Sequence, residues 1–355
     1  MIHEPAVEVS IVAACRNEIK HIRAFLESVL AQDMQGLVWE AVIADGMSSD
    51  GTRQVLEQYS SREPRLRVVG NPGRIVSTGL NAAIRAARGE FILRMDAHTS
   101  YAPSYTRRSI AELERTGADN AGGPARTRAE GIAARAVAAA YHSKFSTGGA
   151  RFHDEDYEGW VDTVTYGCWR KSTLLRLGLF DETLVRNQDD ELNLRLVRAG
   201  GRIWQSPYIV SWYSPRSRIS GLFRQYFQYG FWKVAVIRKH RVPGSWRHLV
   251  PVAFVLGNAA LLVAVAVAAI AGAGDLLRYA GGLWLAAAAA YAAASLAASV
   301  LAAQRHGWET LPWLPLVFAT YHFSYGLGFF AGLIRFLPKT ARPVTADSLF
   351  ARITR

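Results

Sequence analysis

Three long uncharged stretches in the C-terminal part constrain the fold of this chain most. They are residues 249–273, 279–303 and 311–334. About 20 apolar residues suffice for a helix to cross the hydrocarbon core of a bilayer. Only helices and closed barrels satisfy all their backbone groups there, so we expect transmembrane helices. The third stretch contains Pro312, Pro315 and Gly326 and could instead be broken or re-entrant.

Charge is distributed unevenly along the chain. Only three acidic residues follow Glu191, so the basic excess behind the net charge of +12 lies toward the C-terminus. Residues 217–248 contain no acid, and aromatic residues are interleaved among their basic ones. This pattern predicts a helix lying in the membrane interface, with its aromatic side chains in the head-group layer and its basic residues in contact with anionic lipids. Nucleic acid, the competing partner for a basic aromatic segment, is disfavoured by the apolar stretches that follow.

These features divide the chain into four predicted parts. They are an N-terminal domain (1–216), the basic aromatic segment (217–248), a membrane domain (249–336) and a basic tail (337–355). Residues 1–9 lack an apolar signal region, which predicts that the N-terminal domain stays on the cytoplasmic side. Three full spans would place the tail outside, against the positive-inside tendency, whereas two spans and a re-entrant segment would keep it inside.

Short apolar runs alternate with amphipathic segments over the first 98 residues. Residues 7–14, 39–44, 66–69 and 91–95 predict buried strands, with helices between them. This alternation predicts an α/β fold with a doubly wound, mostly parallel sheet. In such sheets, ligands bind in the crevice at the carboxyl ends of the strands. Residues 143–161 are polar and lack a period, so we predict a mobile loop there.

Asp96 and His98 directly follow the apolar run 91–95, which only Arg94 interrupts. A carboxylate and an imidazole two residues apart, just past a strand, can both reach one divalent ion. Carboxylate oxygen suits Mg²⁺ or Mn²⁺, and imidazole shifts the preference toward Mn²⁺. The pair therefore predicts a metal site. The alternative is that Asp96 caps a turn and His98 is a surface residue.

Other charged groups fall at the same predicted edge of the sheet. Glu18 follows the first strand, Asp45 follows the second, and an acidic run at 189–191 opens a later helix. An anionic ligand beside these carboxylates needs a cation between them, and a metal-bridged diphosphate meets that need. Arg74 and Arg94 add fixed positive charge nearby.

Four motifs in order resemble family 2 glycosyltransferases of the nucleotide-sugar-binding fold named GT-A. The motifs are VSIVAACRNE, ADGMSSDGT, GEFILRMDAH and FDETLVRNQDDELNLRLVRAGGRIW. Within the family, the likeness is greatest to the succinoglycan-type glucosyltransferases of bacterial exopolysaccharide assembly, which carry DAH where most relatives have two aspartates. The resemblance covers about residues 7–247 and implies a GT-A fold with a nucleotide diphosphate sugar as donor.

The resemblance also implies roles for individual residues. It places a group at the edge of the nucleotide pocket: Ala14, Arg16, Asn17 and Glu18. It implies that Asp45 recognises the nucleobase, that Asp96 contacts the ribose and the metal, and that His98 is a direct ligand of the ion. These assignments agree with a donor-binding crevice that holds Mn²⁺ or Mg²⁺.

The later acidic motif supplies the expected catalytic base. Alignment with relatives places Asp189 at the base and Gln188 where they have Glu, which is a departure from the family pattern. An acceptor hydroxyl is a poor nucleophile, and a nearby carboxylate can take its proton. Without the motif, Asp189, Asp190 and Glu191 could simply complement a helix dipole.

The resemblance therefore implies a membrane-anchored inverting enzyme on the cytoplasmic face of a bacterial inner membrane. It would transfer a hexose, with glucose as the expected sugar, to a lipid-linked saccharide. The segment from Gln225 to Trp232 lacks the Arg-Trp pair of processive synthases, which predicts single additions. The alternatives are transfer to polyprenyl phosphate itself and a non-catalytic scaffold that binds nucleotide sugars.

Overall fold

The computed structural model describes residues 6–337. The predicted basic tail lies outside the described residues except for Leu337. Most of the N-terminal segment on which the signal-peptide prediction depends, residues 1–5, also lies outside them.

A mixed sheet forms the centre of the N-terminal part. The strands are β1 (Val9–Cys15), β2 (Trp39–Asp45), β3 (Leu66–Gly70), β4 (Phe91–Arg94), β5 (Thr99–Tyr101), β6 (Asn120–Gly123), β7 (Arg126–Thr127), β8 (Gly159–Val161), β9 (Thr165–Arg170), β10 (Ile203–Gln205) and β11 (Ser211–Tyr213). The large sheet has the order β3-β2-β1-β4-β9-β6-β10-β8, and the small one β5-β11-β7. Strands β3, β2, β1 and β4 are parallel, as predicted, whereas β9 and β8 pair antiparallel with their neighbours.

Helices cover both faces of the large sheet and continue into the C-terminal part. They are α1 (Ile22–Leu30), α2 (Thr52–Arg62), α3 (Val76–Ala86), α4 (Tyr105–Thr116), α5 (Ile132–Tyr141), α6 (Lys144–Thr147), α7 (Lys171–Leu177), α8 (Gln188–Arg198), α9 (Ile219–His240), α10 (Val250–Ile270), α11 (Gly274–His306) and α12 (Leu314–Phe336). Strand β1 shows why two layers form, since successive side chains of a strand point to opposite faces. Val9 and Ile11 share one core with Phe25 of α1, whereas Val12 shares the other with Leu80 of α3.

Helix α9 is a continuous helix, as its sequence predicts, but two of its aromatic residues do not face lipid. Phe231 and Trp232 are each 1% exposed and pack against Phe336 of α12. The prediction that the aromatic side chains of this segment lie in the head-group layer is therefore wrong for these two residues. Their burial has a physical reason: α12 covers that side of α9.

Glycines allow α9 and α12 to approach closely. A Cβ on Gly230 would overlap the carbonyl oxygen of Tyr325, and one on Gly328 would overlap that of Phe227. Such small-residue contacts are a general means of bringing apolar helices together. They fix α12 against α9.

Three helices among the described residues are long and apolar enough to cross a membrane. The helical segments are Trp246–Ile270, Gly274–His306 and Leu314–Phe336. The third is uninterrupted, because Pro315 stands in its first turn, where no intrahelical hydrogen bond is lost. The first two are mostly exposed, whereas half of the third is buried by its neighbours.

The predicted mobile loop, residues 143–161, contains ordered elements. It includes helix α6 and strand β8, and β8 pairs antiparallel with β10. The backbone carbonyl of Phe145 accepts a hydrogen bond of 2.9 Å from His322 Nε2 of α12. The loop prediction is wrong because these elements are too short to show a period and depend on distant partners.

Candidate active site

The carboxyl ends of β1, β2 and β4 meet at one edge of the sheet. Strand β1 lies between the other two, with Cys15 opposite Asp45. The Gly46 N–H donates to the Cys15 carbonyl at 2.8 Å. A Cβ on Gly46 would stand 3.0 Å from Arg16 Cβ, so the two turns pack with little room for a larger residue. The sequence motifs after these strands therefore share one crevice.

Reciprocal hydrogen bonds hold the turn after β1 against the turn after β2. The Asn17 N–H donates to Ser48 Oγ, and the Ser49 N–H donates to Asn17 Oδ1, both at 2.9 Å. The Glu18 N–H donates to Thr52 Oγ1 at 2.7 Å. Asn17 adopts a φ of 56°, a conformation that asparagine tolerates better than most residues. These contacts fix the backbone that carries Glu18.

Glu18, His21 and His98 form a group of possible metal ligands. One ligand atom from each lies within 4.8 Å of the others. His98 Nε2 is 3.0 Å from Glu18 Oε1, and this hydrogen bond, with smaller contributions from charge, raises the pKa of His98. The rings of His21 and His98 meet edge to face at 5.3 Å. One carboxylate and two imidazoles are a donor set that fits Mn²⁺ better than Mg²⁺.

Asp96 lies beside this group but is not one of the three donors. Its Oδ1 accepts a hydrogen bond of 3.1 Å from the His98 backbone N–H. Its own N–H donates to Tyr101 Oη at 2.6 Å. The carboxylate thus caps the local turn, as the alternative interpretation of the sequence has it, and the prediction that Asp96 also contacts a metal stays a prediction.

Asp189 lies at the start of α8 and pairs with Arg94 at the end of β4. Arg94 is buried between the rings of Tyr166 and Phe180, at 5.6 and 5.9 Å from their centroids. The Asp189 side chain remains 37% exposed. Desolvation raises the pKa of Asp189, whereas the charge of Arg94 opposes this increase. Arg94 thus fixes a carboxylate that solvent or a substrate hydroxyl can still reach.

The residues flanking Asp189 face different surroundings. Gln188 is buried and its Oε1 accepts no hydrogen bond among the described residues. Asp190 Oδ2 accepts a 2.6 Å hydrogen bond from Lys233 of α9. Glu191 is fully buried and accepts hydrogen bonds from Arg195, Lys239 and His240.

The remaining predicted nucleotide-binding residues lie around the same strand ends. Asp45 is buried, accepts hydrogen bonds from the Ser48 N–H and is 3.6 Å from Arg53. Ala14 packs against Gly79 of α3. Arg74 is exposed in the turn before α3, and the backbone of that turn is tied to β2, since the Asn71 N–H donates to the Asp45 carbonyl at 2.8 Å. Their predicted roles toward a nucleotide stay predictions.

Comparison with known proteins identifies the family. The family described as Glycosyl transferase family 2 matches residues 10–182. The succinoglycan biosynthesis protein ExoA of Rhizobium meliloti is 34% identical over 245 residues, which cover 68% of this chain and 74% of that protein. The chain belongs to glycosyltransferase family 2. The predicted succinoglycan-type branch of the family is likewise confirmed.

Two further proteins are similar to this glycosyltransferase. A dolichyl N-acetyl-α-D-glucosaminyl phosphate 3-β-D-2,3-diacetamido-2,3-dideoxy-β-D-glucuronosyltransferase of Methanococcus voltae is 28% identical and covers 65% of this chain and 74% of its own length. The mannosyltransferase PcManGT of Pyrobaculum calidifontis, solved with GDP-Man and Mn²⁺, has a TM-score of 0.58 at 18% identity. The structural match covers 93% of this chain and 91% of the mannosyltransferase chain. The shared fold confirms the GT-A prediction.

Besides the metal role of Glu18, a residue predicted at the edge of the nucleotide pocket, the candidate ligand that the sequence prediction missed is His21. It stands three residues after Glu18, and Glu-x-x-His across the start of a helix can place both side chains on one side. The Glu-x-x-His spacing is the feature of the sequence that could have indicated His21 as a ligand. It becomes informative only once β1 and β4 are known to be neighbours, because their pairing brings His98 to the same point.

Proposed function

We propose that this protein is a membrane-anchored, metal-dependent inverting glycosyltransferase of exopolysaccharide assembly. It transfers a hexose, with glucose as the expected sugar, from a nucleotide diphosphate sugar to a lipid-linked saccharide. One observation carries the proposal: Asp189 is held by Arg94 at the crevice that also contains Glu18, His21 and His98. Arg94 stands two residues before Asp96, and the Asp96 carboxylate accepts a hydrogen bond from the His98 backbone N–H, which supports a single site.

Asp189 is the proposed general base. Its exposed carboxylate takes the proton of the acceptor hydroxyl as that oxygen attacks the anomeric carbon. The bond to the nucleotide diphosphate breaks in the same displacement, so the configuration at that carbon inverts. Arg94 orients the carboxylate and keeps part of its surface free for the acceptor.

The donor set supports a divalent ion bound by Glu18, His21 and His98, with Asp96 beside them. Such an ion supplies a Lewis acid that stabilises the charge of a departing diphosphate. Ala14, Arg16, Asn17 and the buried Asp45 then shape the nucleotide pocket. A mannosyltransferase of the same fold, solved with GDP-Man and Mn²⁺, supports the proposed ion and donor class.

The C-terminal helices support an acceptor carried by a lipid. Helix α9 contacts both the catalytic helix α8 and the apolar helix α12, which would hold the crevice near the cytoplasmic surface of a bacterial inner membrane. The basic residues of α9 suit anionic lipids there. The Methanococcus voltae relative is named for a dolichyl-linked acceptor, which agrees with this class of substrate.

A donor screen with the reconstituted protein and Mn²⁺ tests the proposal. Nucleotide hexoses are offered with two acceptors, a lipid-linked saccharide and bare polyprenyl phosphate. We expect transfer to the saccharide, with inverted configuration in the product's NMR spectrum. A product only on polyprenyl phosphate would contradict the acceptor assignment, and retained configuration would contradict the mechanism. No turnover of any donor would instead favour a nucleotide-sugar-binding scaffold.

A further inference from the structure

A positively charged pocket lies where the small sheet leads into α9. Its volume is about 240 Å³. It is lined by Arg216, Ser217, Arg218, Ser220, Gly221 and Arg224. None of these residues belongs to the crevice described above or to the family motifs quoted for it.

The positive charge of this pocket is not matched by an acidic partner within the part of the chain that the structure describes. Among residues 6–337, Arg216, Arg218 and Arg224 form no ion pair and no side-chain hydrogen bond, although all three line one small space. Arg94 and Arg195, in contrast, are paired with acids. Three like charges in one pocket repel each other, and a bound anion would remove that repulsion. Guanidinium groups match phosphate geometry with two parallel hydrogen bonds.

The start of α9 adds donors to the same pocket. Arg218 is the residue before this helix, and no side chain caps its first turn. The first N–H groups of a helix lack intrahelical partners, and the helix dipole places partial positive charge there. The hydroxyl groups of Ser217 and Ser220 line the pocket beside them. Guanidinium groups, hydroxyls and the first N–H groups of α9 are thus donors at or beside one pocket, and each can form a hydrogen bond to an anion.

The pocket lies between the crevice and the membrane helices. Tyr213, three residues before Arg216, pairs with Thr99, which directly follows His98 at the crevice. In the other direction, α9 runs from the pocket into its close contact with α12. A molecule with an anionic group in this pocket could therefore direct one end into the crevice and the other toward the apolar helices.

We infer that this pocket binds the phosphate or diphosphate group of the lipid-linked acceptor. The inference rests on the proposed function, because it assigns the acceptor's anionic link to these residues. Binding there would hold the saccharide in the crevice next to Asp189 while the lipid chain lies along the apolar helices. The pocket would thus select for a phosphorylated lipid rather than a free saccharide.

Binding of farnesyl diphosphate to the full chain in detergent tests the inference without turnover. We expect R218Q/R224Q to weaken this binding at least about tenfold, since charge-assisted contacts to phosphate are lost. Arg62→Gln, an exposed arginine of α2, is the matched control and should leave it unchanged. Farnesol, which lacks the diphosphate group, should bind weakly to the wild type and to every variant. If the melting temperature of R218Q/R224Q is lower than that of the wild type, binding is measured with R218K/R224K instead.

Two further ligands distinguish the sources of an anionic group. UDP and GDP binding, and binding to vesicles with and without phosphatidylglycerol, should be the same in the variant and the wild type. Equal weakening for a nucleoside diphosphate would assign the pocket to the donor, and weakening for anionic vesicles alone would assign it to bulk lipid. Either result, or unchanged farnesyl diphosphate binding, overturns the inference. A protein that binds farnesyl diphosphate as expected but transfers no sugar contradicts the proposed function instead.

Discussion

Lys233 Nζ lies 2.6 Å from Asp190 Oδ2, and this ion pair joins α8, the helix of the proposed base, to α9. Glu191, the next residue, binds Lys239 and His240 of the same helix. Asp189, the preceding one, pairs with Arg94 of the sheet. Successive residues of a helix point in different directions, so one acidic run contacts the sheet and α9 at the same time. The position of the proposed base therefore depends on α9.

Loss of the Lys233 charge should loosen this connection. Lys233→Met leaves the partly exposed Asp190 without its cation, and we expect a loss of about 1–3 kcal/mol in the free energy of unfolding. The expected loss of stability is no larger because the Asp190 side chain is partly exposed. The melting temperature in detergent measures the effect. Arg278→Met, which breaks an exposed pair with Asp275, should change little. Equal melting temperatures for both variants would contradict the connection.

The buried Glu191 predicts a specific pH dependence. Burial raises its pKa, but hydrogen bonds from Arg195, Lys239 and His240 outweigh burial and lower the pKa below the ordinary value of 4.5. The ionised group therefore stabilises the fold above about pH 4.5, and this stabilisation is lost as the pH falls toward the folded-state pKa. Glu191→Gln should cost about 3 kcal/mol at pH 7.

The difference in melting temperature between wild type and Glu191→Gln should shrink as the pH decreases below 4.5. Glu57→Gln is the control, because Glu57 is exposed and, among residues 6–337, pairs only with Arg53 on its own helix. A difference that stays constant from pH 7 to pH 4 would show that the Glu191 charge does not stabilise the fold.

The close contact of α9 and α12 should not tolerate a side chain at Gly230. Gly230→Ala introduces a Cβ that overlaps the Tyr325 carbonyl, so the helices must separate. Overpacking of this kind costs about 1–3 kcal/mol. Gly257→Ala on α10 is the control, since among the described residues no atom apart from the adjoining backbone of α10 lies within 4 Å of the added Cβ. The melting temperatures of Gly230→Ala and Gly257→Ala are compared. If the control lost as much stability as Gly230→Ala, the packing argument would be contradicted.

Manganese binding should depend on His21 as well as on His98. Titration with Mn²⁺, followed by electron paramagnetic resonance, should give a dissociation constant at least about tenfold higher for His21→Gln. Arg23→Gln is the control, because Arg23 lies in α1 two residues after His21 and is not one of the candidate ligands. Unchanged affinity in His21→Gln combined with a loss in Asp96→Asn would restore the pair that the sequence alone predicts.

The sequence indicates those candidate site residues that lie close together in the chain. Asp96 and His98 follow one strand, and a strand followed by polar residues can be recognised locally. His21 could not be assigned, because its approach to His98 depends on the pairing of β1 with β4. The contact of Arg94 with Asp189 joins residues far apart in the sequence and depends on the fold of the whole domain.

The membrane-associated part shows the same limit. Charge and hydropathy predict α9 and the three apolar helices, since each pattern lies within one segment. The burial of Phe231 and Trp232 depends on α12, whose glycines allow the contact. Residues 143–161 are ordered through β10 and α12, which no local pattern reveals.

Single-turnover transfer by Asp189→Asn tests the central claim most directly. The variant keeps the size of the side chain and leaves the candidate metal ligands intact, so donor binding should be unchanged. The rate of sugar transfer should decrease about 10²–10⁴-fold, because the acceptor hydroxyl loses its base. Asp33→Asn, a surface substitution, should keep the wild-type rate. A full transfer rate in Asp189→Asn would contradict the account.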